Sequence, residues 1–398
     1  MKGRVLIIVP LLINQYDGAM NRVSSAIEMY KRNGYEVYVL DIFPAYYLFK
    51  IFKHKKNLNL NAHWLFLPSF SLMRSPFLQY FSVFIAQIWI YFLTRLISFR
   101  IVQFDMYYGG RVCKYRKKDS RLIMNYRGDS IDEFLYANPS ESTLGWKVKS
   151  IEKDVAFSIR QADILLTVSE NLKKSVEKYT DSCIQHFFIM PCCADVERFK
   201  IDLSLLDELK IKYKDKLVIG YCGGMAKWQN VDVILDLVIA LKKKNPQIYF
   251  LLLTSESLES VQSKLNELGD NNYEYHSLSR DKVPFFLSCM NASFLIRENR
   301  PLNIVASPTK ISESLAAGVP VIATRFAGDV EDVVIDGENG IILSDINYTE
   351  EDIDRILSYL LKVKSQRGYF RSLCQKSVGE RTWNNYSDNY IRYIESLL

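Results

Sequence analysis

The chain has 398 residues, of which 48% are hydrophobic and 24% are charged, and its formal net charge is +6. This length exceeds what one ordinary core supports, so the composition predicts a globular protein of two domains of similar size. The charge suits an anionic ligand or an acidic membrane surface, whereas nucleic-acid binding would require stronger clustering of basic residues.

The cysteines and histidines indicate a reducing compartment and no metal site. There are seven cysteines, an odd number, their spacings are irregular, and no CxxC occurs. That pattern argues against a disulfide framework or a zinc site. The four histidines contain no pair at metal-ligand spacing. The N-terminus has no cleavable signal pattern, so we expect a cytoplasmic protein.

The first half of the chain begins with a strand, a loop, a helix and a strand. Residues 4–9 and 35–40 are apolar runs typical of parallel strands, and a helix from about Asn21 to Arg32 is predicted between them. Gly18 lies in the loop, where it lets a ligand approach the backbone closely. This order is that of a Rossmann-type half.

Residues 75–94 carry no charge and are rich in aromatic side chains, and Lys50, Lys53, Lys55 and Lys56 precede them. The length of the segment permits a membrane span. Strand candidates on both sides belong to one sheet, which argues against a crossing. A buried or interdomain helix is the preferred interpretation, and a membrane-docking surface is the main alternative.

Further strands are predicted at 121–126, 162–169 and 187–191, and residues 192–204 are predicted to form the interdomain linker. Arg127 follows the first of these strands, where it could clamp a phosphate or carboxylate. Asp129, Asp132 and Glu133 are candidate acid/base or hydroxyl-binding groups. A solvated turn with local ion pairs is the alternative for all four residues.

The second half repeats the pattern with strands at 217–222 and 248–253 and a helix from about Val231 to Lys244. Gly223 and Gly224 end the first strand and allow backbone contact with phosphate, which Lys227 could reach as a point charge. The alternative is a tight turn. Arg297 ends a later strand, 292–297, on the same edge, and a loop is predicted for 298–306.

A short helix follows that loop. Ser307 is a suitable N-cap, Pro308 suits the first helical position, and Gly318 suits the left-handed residue after the last turn. The start of this helix would favour an anion, with Lys310 adding a charge and Glu313 accepting sugar hydroxyls. An exposed ion pair between Lys310 and Glu313 is the alternative.

The chain resembles the retaining glycosyltransferases of family 4, which use a nucleotide-sugar donor. The resemblance covers nearly the whole length. It is strongest from Ser307 to Thr324 and is supported by 220–228, by 189–191 with Asp195 and Phe199, and by Arg127-Gly128. It implies an α/β protein of the GT-B fold, with two Rossmann-like domains facing across a cleft. These are an acceptor domain at 1–200, a donor domain at 201–380, and a C-terminal helix at 381–398 that returns to the first domain.

The resemblance also implies roles for the residues at matching positions. Glu313 would hold the ribose hydroxyls of the donor, the amides of Thr309 and Lys310 its diphosphate, and Lys227 the leaving phosphate. The predicted catalytic residues are Lys227, Arg127 and Lys310. The predicted donor-binding residues are Gly18, Gly223, Gly224, Lys227, Arg297, Ser307, Thr309, Lys310 and Glu313. No metal and no other cofactor are expected.

The resemblance is incomplete at three places. Val305 stands where the family usually has the first of two glutamates, Met225 stands where an Arg is common, and no histidine matches the one often found near the reacting centre. The leading hypothesis is transfer to a hydroxyl of a glycan or lipid-linked acceptor, in surface polysaccharide or glycoconjugate synthesis. The alternatives are a catalytically silent nucleotide-sugar-binding subunit and a sugar-nucleotide epimerase.

Overall fold

The computed structural model describes residues 2–10, 18–45, 62–70, 75–178, 184–199, 201 and 207–398. These residues form two compact units. The first comprises Met1–Met190 and Asn384–Leu398, and the second comprises Pro191–Trp383. The first boundary is ten residues before the one expected at 200, because the residues after Met190 pack within the second unit.

The first unit is an α/β layer structure around a parallel sheet. Its described strands are β1 (Gly3–Pro10), β2 (Tyr35–Pro44), β3 (His63–Ser69), β4 (Ile101–Phe104), β5 (Arg121–Asn125), β6 (Ile164–Thr167) and β7 (Phe187–Ile189). Their order in the sheet is β3-β2-β1-β4-β5-β6-β7. The described helices are α1 (Gly18–Arg32), α2 (Pro76–Leu96), α3 (Gly109–Val112), α4 (Ser130–Ala137), α5 (Trp146–Gln161) and α6 (Glu170–Glu177). Residues 5–9 of β1 are buried, as in a parallel sheet covered on both faces.

The second unit repeats this architecture. Its described strands are β8 (Leu217–Cys222), β9 (Ile248–Leu253), β10 (Tyr273–His276), β11 (Ala292–Leu295), β12 (Val321–Thr324) and β13 (Gly340–Leu343), in the order β10-β9-β8-β11-β12-β13. Its described helices are α7 (Asp207–Lys212), α8 (Val231–Lys244), α9 (Gln262–Leu268), α10 (Val283–Leu287), α11 (Pro301–Ile304), α12 (Thr309–Ala316), α13 (Glu350–Ser365) and α14 (Arg367–Ser377). Short α11 corrects the prediction of an open loop at 298–306, since Pro301 occupies its first turn.

The strand order of the second unit predicts where along its sheet a ligand would bind. The chain reverses direction across the sheet between β8 and β11, because β9 lies on one side of β8 and β11 on the other. In parallel sheets, ligands bind beyond the carboxyl ends of the strands at such a point. Gly223 follows β8 there, and Arg297 lies two residues after β11.

Of two predicted connecting segments, the expected linker is used differently from what the sequence pattern indicates and the C-terminal helix is not. The expected linker, 192–204, is in its described part a portion of the second unit, where Ala194 bridges to Thr382 and Phe199 is buried. The C-terminal helix α15 (Trp383–Leu397) packs on the first unit, as predicted. Glu395 of α15 pairs with Lys2 at 2.7 Å, and Arg121 donates to the carbonyl of Leu397 at 2.9 Å.

Helix α2 exposes most of its large apolar side chains, so burial, one of the two forms of the preferred prediction of a buried or interdomain helix, is wrong for them. Its buried positions include the polar residues Gln79, Ser82 and Thr94. Its exposed large hydrophobic residues are Phe77, Tyr80, Phe81, Phe84, Ile88, Trp89, Tyr91, Phe92 and Leu96. By length and composition, α2 is the one described helix that could cross a membrane. The lysines at 50, 53, 55 and 56 lie outside the described residues.

Candidate functional site

Gly223 and Gly224 form the loop that leaves β8. Gly223 has φ +148°, and a Cβ on it would lie 2.2 Å from Cε of Lys310. A Cβ on Gly224 would lie 2.6 Å from Oε1 of Glu256, whose other oxygen accepts from the amide of Met225 at 2.7 Å. The two glycines therefore make room for the side chains of Lys310 and Glu256.

Lys310 is the cation at the centre of this loop. It lies in the first turn of α12, and its Nζ donates to Tyr221 Oη and to Gln229 Oε1, both at 2.6 Å. Burial lowers the pKa of Lys310 to about 7, and the charge of Arg297 adds to the effect. A bound anion would restore the charged form. Lys310 does not pair with Glu313, so the alternative of an exposed ion pair is wrong.

Arg297 is fixed at the end of β11 by its backbone and its side chain. Its amide donates to Oγ1 of Thr324 at 2.8 Å, and the Thr324 hydroxyl donates to the Arg297 carbonyl at 2.6 Å. The guanidinium donates to the carbonyl of Trp228, and only 6% of the residue is exposed. Arg297 thus holds the turn after the glycine loop and adds positive charge beside Lys310.

Glu313 lies one turn beyond Lys310 on α12 and is held by Arg198. The Arg198 Nη2 to Glu313 Oε1 distance is 2.8 Å, and the two side chains are 17% and 24% exposed. Arg198 Nε and Nη1 are buried and have no hydrogen-bond partner among the described residues. The carboxylate is therefore oriented by one oxygen, which leaves the other for a ligand hydroxyl.

Ser307 does not cap α12, which corrects its predicted role. The helix begins at Thr309, and its N-cap is Pro308, which provides no side-chain acceptor. The Ser307 hydroxyl donates to Asp329 Oδ2 at 2.6 Å and accepts from the amide of Cys192 at 2.8 Å and from Arg381. Ser307 thus joins three segments of the second unit, and the uncapped amides at the start of α12 stay available for an anion.

Two further predicted residues of the second unit, Lys227 and Thr309, are exposed, and Val305 is an apolar residue where a carboxylate was expected. Lys227 is exposed, in a single 3₁₀ turn that ends at Gln229. Thr309 is exposed at the start of α12. Val305 is buried at 4% exposure, so an apolar side chain stands at the position where the resemblance leads us to expect a glutamate.

Gly18 and Arg127 belong to the first unit. Gly18 is the first residue of α1, so its predicted place in the loop before a helix from about Asn21 is wrong. Nε of Arg127 is buried and has no hydrogen-bond partner among the described residues. Asp129 is the N-cap of α4, accepting from the amides of Ile131 and Asp132, so its structural role replaces the predicted acid/base role.

Three residues that complete the site in the second unit were missed from the sequence. Arg198 lies between the motif residues Asp195 and Phe199, and this position was its only signal. Tyr221 is a buried strand residue whose hydroxyl reaches Lys310, and Gln229 lies in the turn after the glycine loop. Among the described residues, no group of three or more His, Cys, Asp or Glu side chains could hold a metal ion.

Sequence comparison finds glycosyltransferases that are similar to part of this chain. Residues 216–361 match the family model "Glycosyl transferases group 1". An uncharacterized glycosyltransferase of Methanocaldococcus jannaschii is 24% identical over 196 residues, which are 48% of this chain and 48% of that protein. The chain therefore spans about half the length of this relative.

Two solved structures extend the likeness to the whole chain. Anabaena HepE in complex with UDP superimposes with a TM-score of 0.74 at 13% identity, covering 99% of this chain and 100% of that one. A glycosyltransferase from Rickettsia africae gives a TM-score of 0.73 at 15% identity, with 100% and 99% covered. With two parallel-sheet α/β units and these neighbours, the chain has the GT-B fold, as expected.

Proposed function

We propose that this protein transfers a glycosyl group from a nucleotide-diphosphate sugar to a hydroxyl of a glycan or lipid-linked acceptor. The observation that carries the proposal is the cation Lys310, held against Gly223 at the uncapped start of α12. A similar fold binds UDP in HepE. Lys310 and the uncapped start of α12 suit the diphosphate, and the carboxylate of Glu313 suits ribose hydroxyls. The donor nucleotide is therefore the best supported part of the substrate.

The chemistry follows from where negative charge develops. The bond between the sugar C1 and the phosphate oxygen breaks with its electron pair on the oxygen, a bond from C1 to the acceptor oxygen forms, and the proton of the acceptor hydroxyl passes to the leaving phosphate. The leaving nucleoside diphosphate gains charge, which Lys310 and the start of α12 would stabilise, with Lys227 at the rim. We propose a family 4 enzyme that retains the anomeric configuration without a metal, with Arg127 acting from the first unit.

A donor screen tests this proposal. The protein is incubated with a panel of nucleotide sugars and lipid-linked or glycan acceptors, with and without EDTA, and the anomeric configuration of the product is read by NMR. We expect one donor to give a retained product in EDTA. Absence of both turnover and nucleoside-diphosphate binding would overturn the proposal.

A catalytically silent nucleotide-sugar-binding subunit is the second candidate. It is favoured by the buried Val305, which removes the carboxylate that usually holds the donor sugar. This candidate predicts nucleotide binding without transfer and without slow hydrolysis of the donor. The hydrolysis assay therefore separates it from the enzyme, and release of an epimerised free donor would indicate an epimerase instead.

We also propose that the protein docks on the inner face of an anionic membrane through α2. Its exposed aromatic residues, Phe77 at 75% exposure and Trp89 at 50% among them, form an unpaired apolar face. Residues 75–118 contain seven Lys or Arg and one Asp. Among these, Arg95 lies in the last turn of the helix and donates to the carbonyl of Tyr115, next to exposed Lys114. Apolar and basic groups together suit an interfacial helix on acidic lipids.

Liposome flotation tests the docking surface. The wild type should float with phosphatidylserine vesicles and much less with phosphatidylcholine vesicles, and the variant Phe77→Ser/Phe84→Ser/Trp89→Ser should remain at the bottom. Tyr369→Ser, which removes an exposed aromatic side chain of the second unit, is the control. A wild type that stays at the bottom and forms an α2-dependent dimer in size-exclusion chromatography would contradict the proposal.

A further inference from the structure

A second cationic cavity lies in the second unit, at the opposite edge of the sheet from Lys310. Its volume is about 430 Å³. Its lining residues are Leu209, Tyr213, Lys214, Lys216, Val218, Ser288, Cys289, Asn291, Lys364, Arg367, Gly368 and Arg371. Val218 is near the start of β8, whereas the glycine loop follows its end. A six-residue strand is about 20 Å long, so the cavity and the Lys310 site are separate.

The cavity collects positive charge. Five of its lining residues are basic and none is acidic: Lys214, Lys216, Lys364, Arg367 and Arg371. None of the five forms an ion pair within the described part of the chain. Lys216 lies over the ring of Tyr249 at 3.5 Å, and Arg367 donates to the carbonyls of Ser288 and Met290. Neither contact neutralises a charge, so the cavity is strongly electropositive.

Glu274 is a nearby carboxylate that its own partners already occupy. It accepts from Tyr213 Oη at 2.9 Å and from Tyr249 Oη at 2.7 Å, and it pairs with Lys212 and His276. Burial acts to raise its pKa, but these hydrogen bonds outweigh burial and hold the pKa at about 2. Glu274 stays ionised and bonded to these groups, so it does not balance the five cations.

The start of helix α14 faces the cavity. Arg367, Gly368 and Arg371, all from its first turns, line the wall, and Gln366 provides no side-chain cap. A Cβ on Gly368 would meet no atom within 4 Å. Open space next to uncapped amides at the positive end of an 11-residue helix is a favourable place for an anion.

Asn291 supplies a buried donor that lacks a partner. It lines the cavity and is 2% exposed. Its Oδ1 accepts from the amide of Val218 at 2.9 Å, which fixes the side-chain amide. Its Nδ2 has no hydrogen-bond partner among the described residues. A buried donor without an acceptor is unfavourable, and a ligand oxygen in the cavity would satisfy it.

We propose that this cavity binds a phosphate-bearing anion, distinct from the donor nucleotide. Two arginines, three lysines, an orphan amide and a helix start are the groups that proteins use to hold phosphate. The volume lies in the range of small-molecule sites and exceeds that of one phosphate group, so a phosphorylated metabolite is the chemical class. Burial lowers the pKa of Arg367 and Arg371, and a bound dianion would offset that effect.

Pyrophosphate titration by calorimetry, with matched variants, tests this site. The wild type should bind at two sites, one at each edge of the second unit. Gly368→Asp adds a carboxylate in open space and should weaken one site at least tenfold, whereas Gly368→Ala adds only a methyl and should leave both. Lys310→Met should weaken the other site and keep the cavity intact.

Lys214→Glu is an independent second variant, since Lys214 is exposed and its replacement disturbs no described contact. It should also weaken the cavity site. If pyrophosphate binds once only, with Lys310→Met abolishing it and both acidic variants leaving it unchanged, the cavity site does not exist. The Lys310 variant keeps this outcome separate from a failure of the donor site.

Discussion

Lys310 lies where burial disfavours its positive charge, and a bound anion would favour that charge. Its ammonium bonds to Tyr221 Oη and Gln229 Oε1, which are both neutral, and Arg297 opposes it electrostatically. A group held in this way has a large difference in pKa between the free and the ligand-bound state. Anion binding and protonation are therefore linked at this residue.

The linkage predicts a pH dependence of nucleoside-diphosphate affinity. Below pH 7 the free protein already carries the proton, and the Kd should change little on account of Lys310. Above pH 7 binding must take up a proton, so the Kd should rise about tenfold per pH unit until the pKa of the complex is reached. Calorimetry in buffers of different ionisation enthalpy measures this uptake. Lys310→Met should bind more weakly and lose the slope, and a steep slope in that variant would assign it to another group.

Glu313 and Arg198 should act together on the ribose. Glu313→Ala should weaken ribonucleoside-diphosphate binding by about tenfold or more, since it removes hydrogen bonds to a charged group. Arg198→Ala should have a smaller effect that is not additive with it, because Arg198 acts by orienting the carboxylate. Comparing ribo- and 2′-deoxyribonucleoside diphosphates gives the control. An unchanged Kd for Glu313→Ala would reject the assigned role.

For single residues, the sequence predicted positions that follow from a local pattern and missed contacts that depend on the tertiary structure. Lys310, Glu313, Gly223 and Gly224 sit at fixed offsets in strand–loop–helix patterns, so their place after β8 or on α12 could be predicted from type and spacing, while their roles toward a ligand stay predictions. Ser307 had the right type for a cap, yet its hydroxyl bonds to Asp329, which is 22 residues away. Competition from a distant partner is not visible in a local pattern.

Helix α12 depends on a glycine at its C-terminal end. Gly318 has φ +74°, its amide donates to the Leu315 carbonyl, and the amide of Val319 donates to the Ser314 carbonyl, both at 2.9 Å. These two bonds form a Schellman motif, and Gly318 occupies the left-handed position that the sequence predicted. A Cβ on Gly318 would also lie 2.3 Å from Cγ of Arg371 on α14. The motif fixes the far end of the helix that carries Lys310.

Gly318→Ala should lower the free energy of unfolding by more than about 1–2 kcal/mol, the strain of a left-handed residue, because the clash with Arg371 adds to it. Urea denaturation measures this change. Gly368→Ala is the matched control, since that glycine is helical and its Cβ meets open space. It should be neutral or stabilise by up to about 1 kcal/mol. Equal effects at the two positions would contradict the steric argument.

The regular elements were easier to predict than their surroundings. The bounds predicted for β8, α8 and β9 agree with those observed, because each is a continuous apolar or periodic run between turn residues. Helix α2 is also a continuous apolar run, but several of its polar side chains are buried and most of its large apolar side chains are exposed. Its polar residues are buried because Gln79 bonds to Ser150 and Asp154, and Ser82 bonds to the backbone of Phe70. Hydropathy alone cannot reveal such partners.

On the scale of the whole molecule, the chain crosses between its two units twice. It leaves the first unit after Met190 and returns at Asn384. Helix α15 then completes the first unit, with Tyr390 and Ile394 fully buried and Phe188 packed on the rings of Tyr390 and Tyr393. The last helix is therefore part of the core of the first unit.

Ile394→Ala should destabilise the first unit selectively. The cavity it creates should cost about 2–5 kcal/mol there. Hydrogen exchange read by mass spectrometry should show lost protection in β1 and β5, while β8 and β9 keep theirs. Asn389→Ala, on the exposed side of α15, serves as the control and should leave both sets of strands protected. Equal loss in both units would mean that they unfold as one.

The return of the chain through α15 also sets the order in which the protein can be completed during synthesis. The second unit is contiguous, so all of it is available before residues 384–398 are made. The first unit starts earlier but lacks Tyr390 and Ile394 until residues 384–398 have been made. Domains usually mature from the N-terminus onward. Here the later unit is the first that can reach its final structure, and a nascent chain stalled at residue 383 would hold a finished second unit and an unfinished first unit.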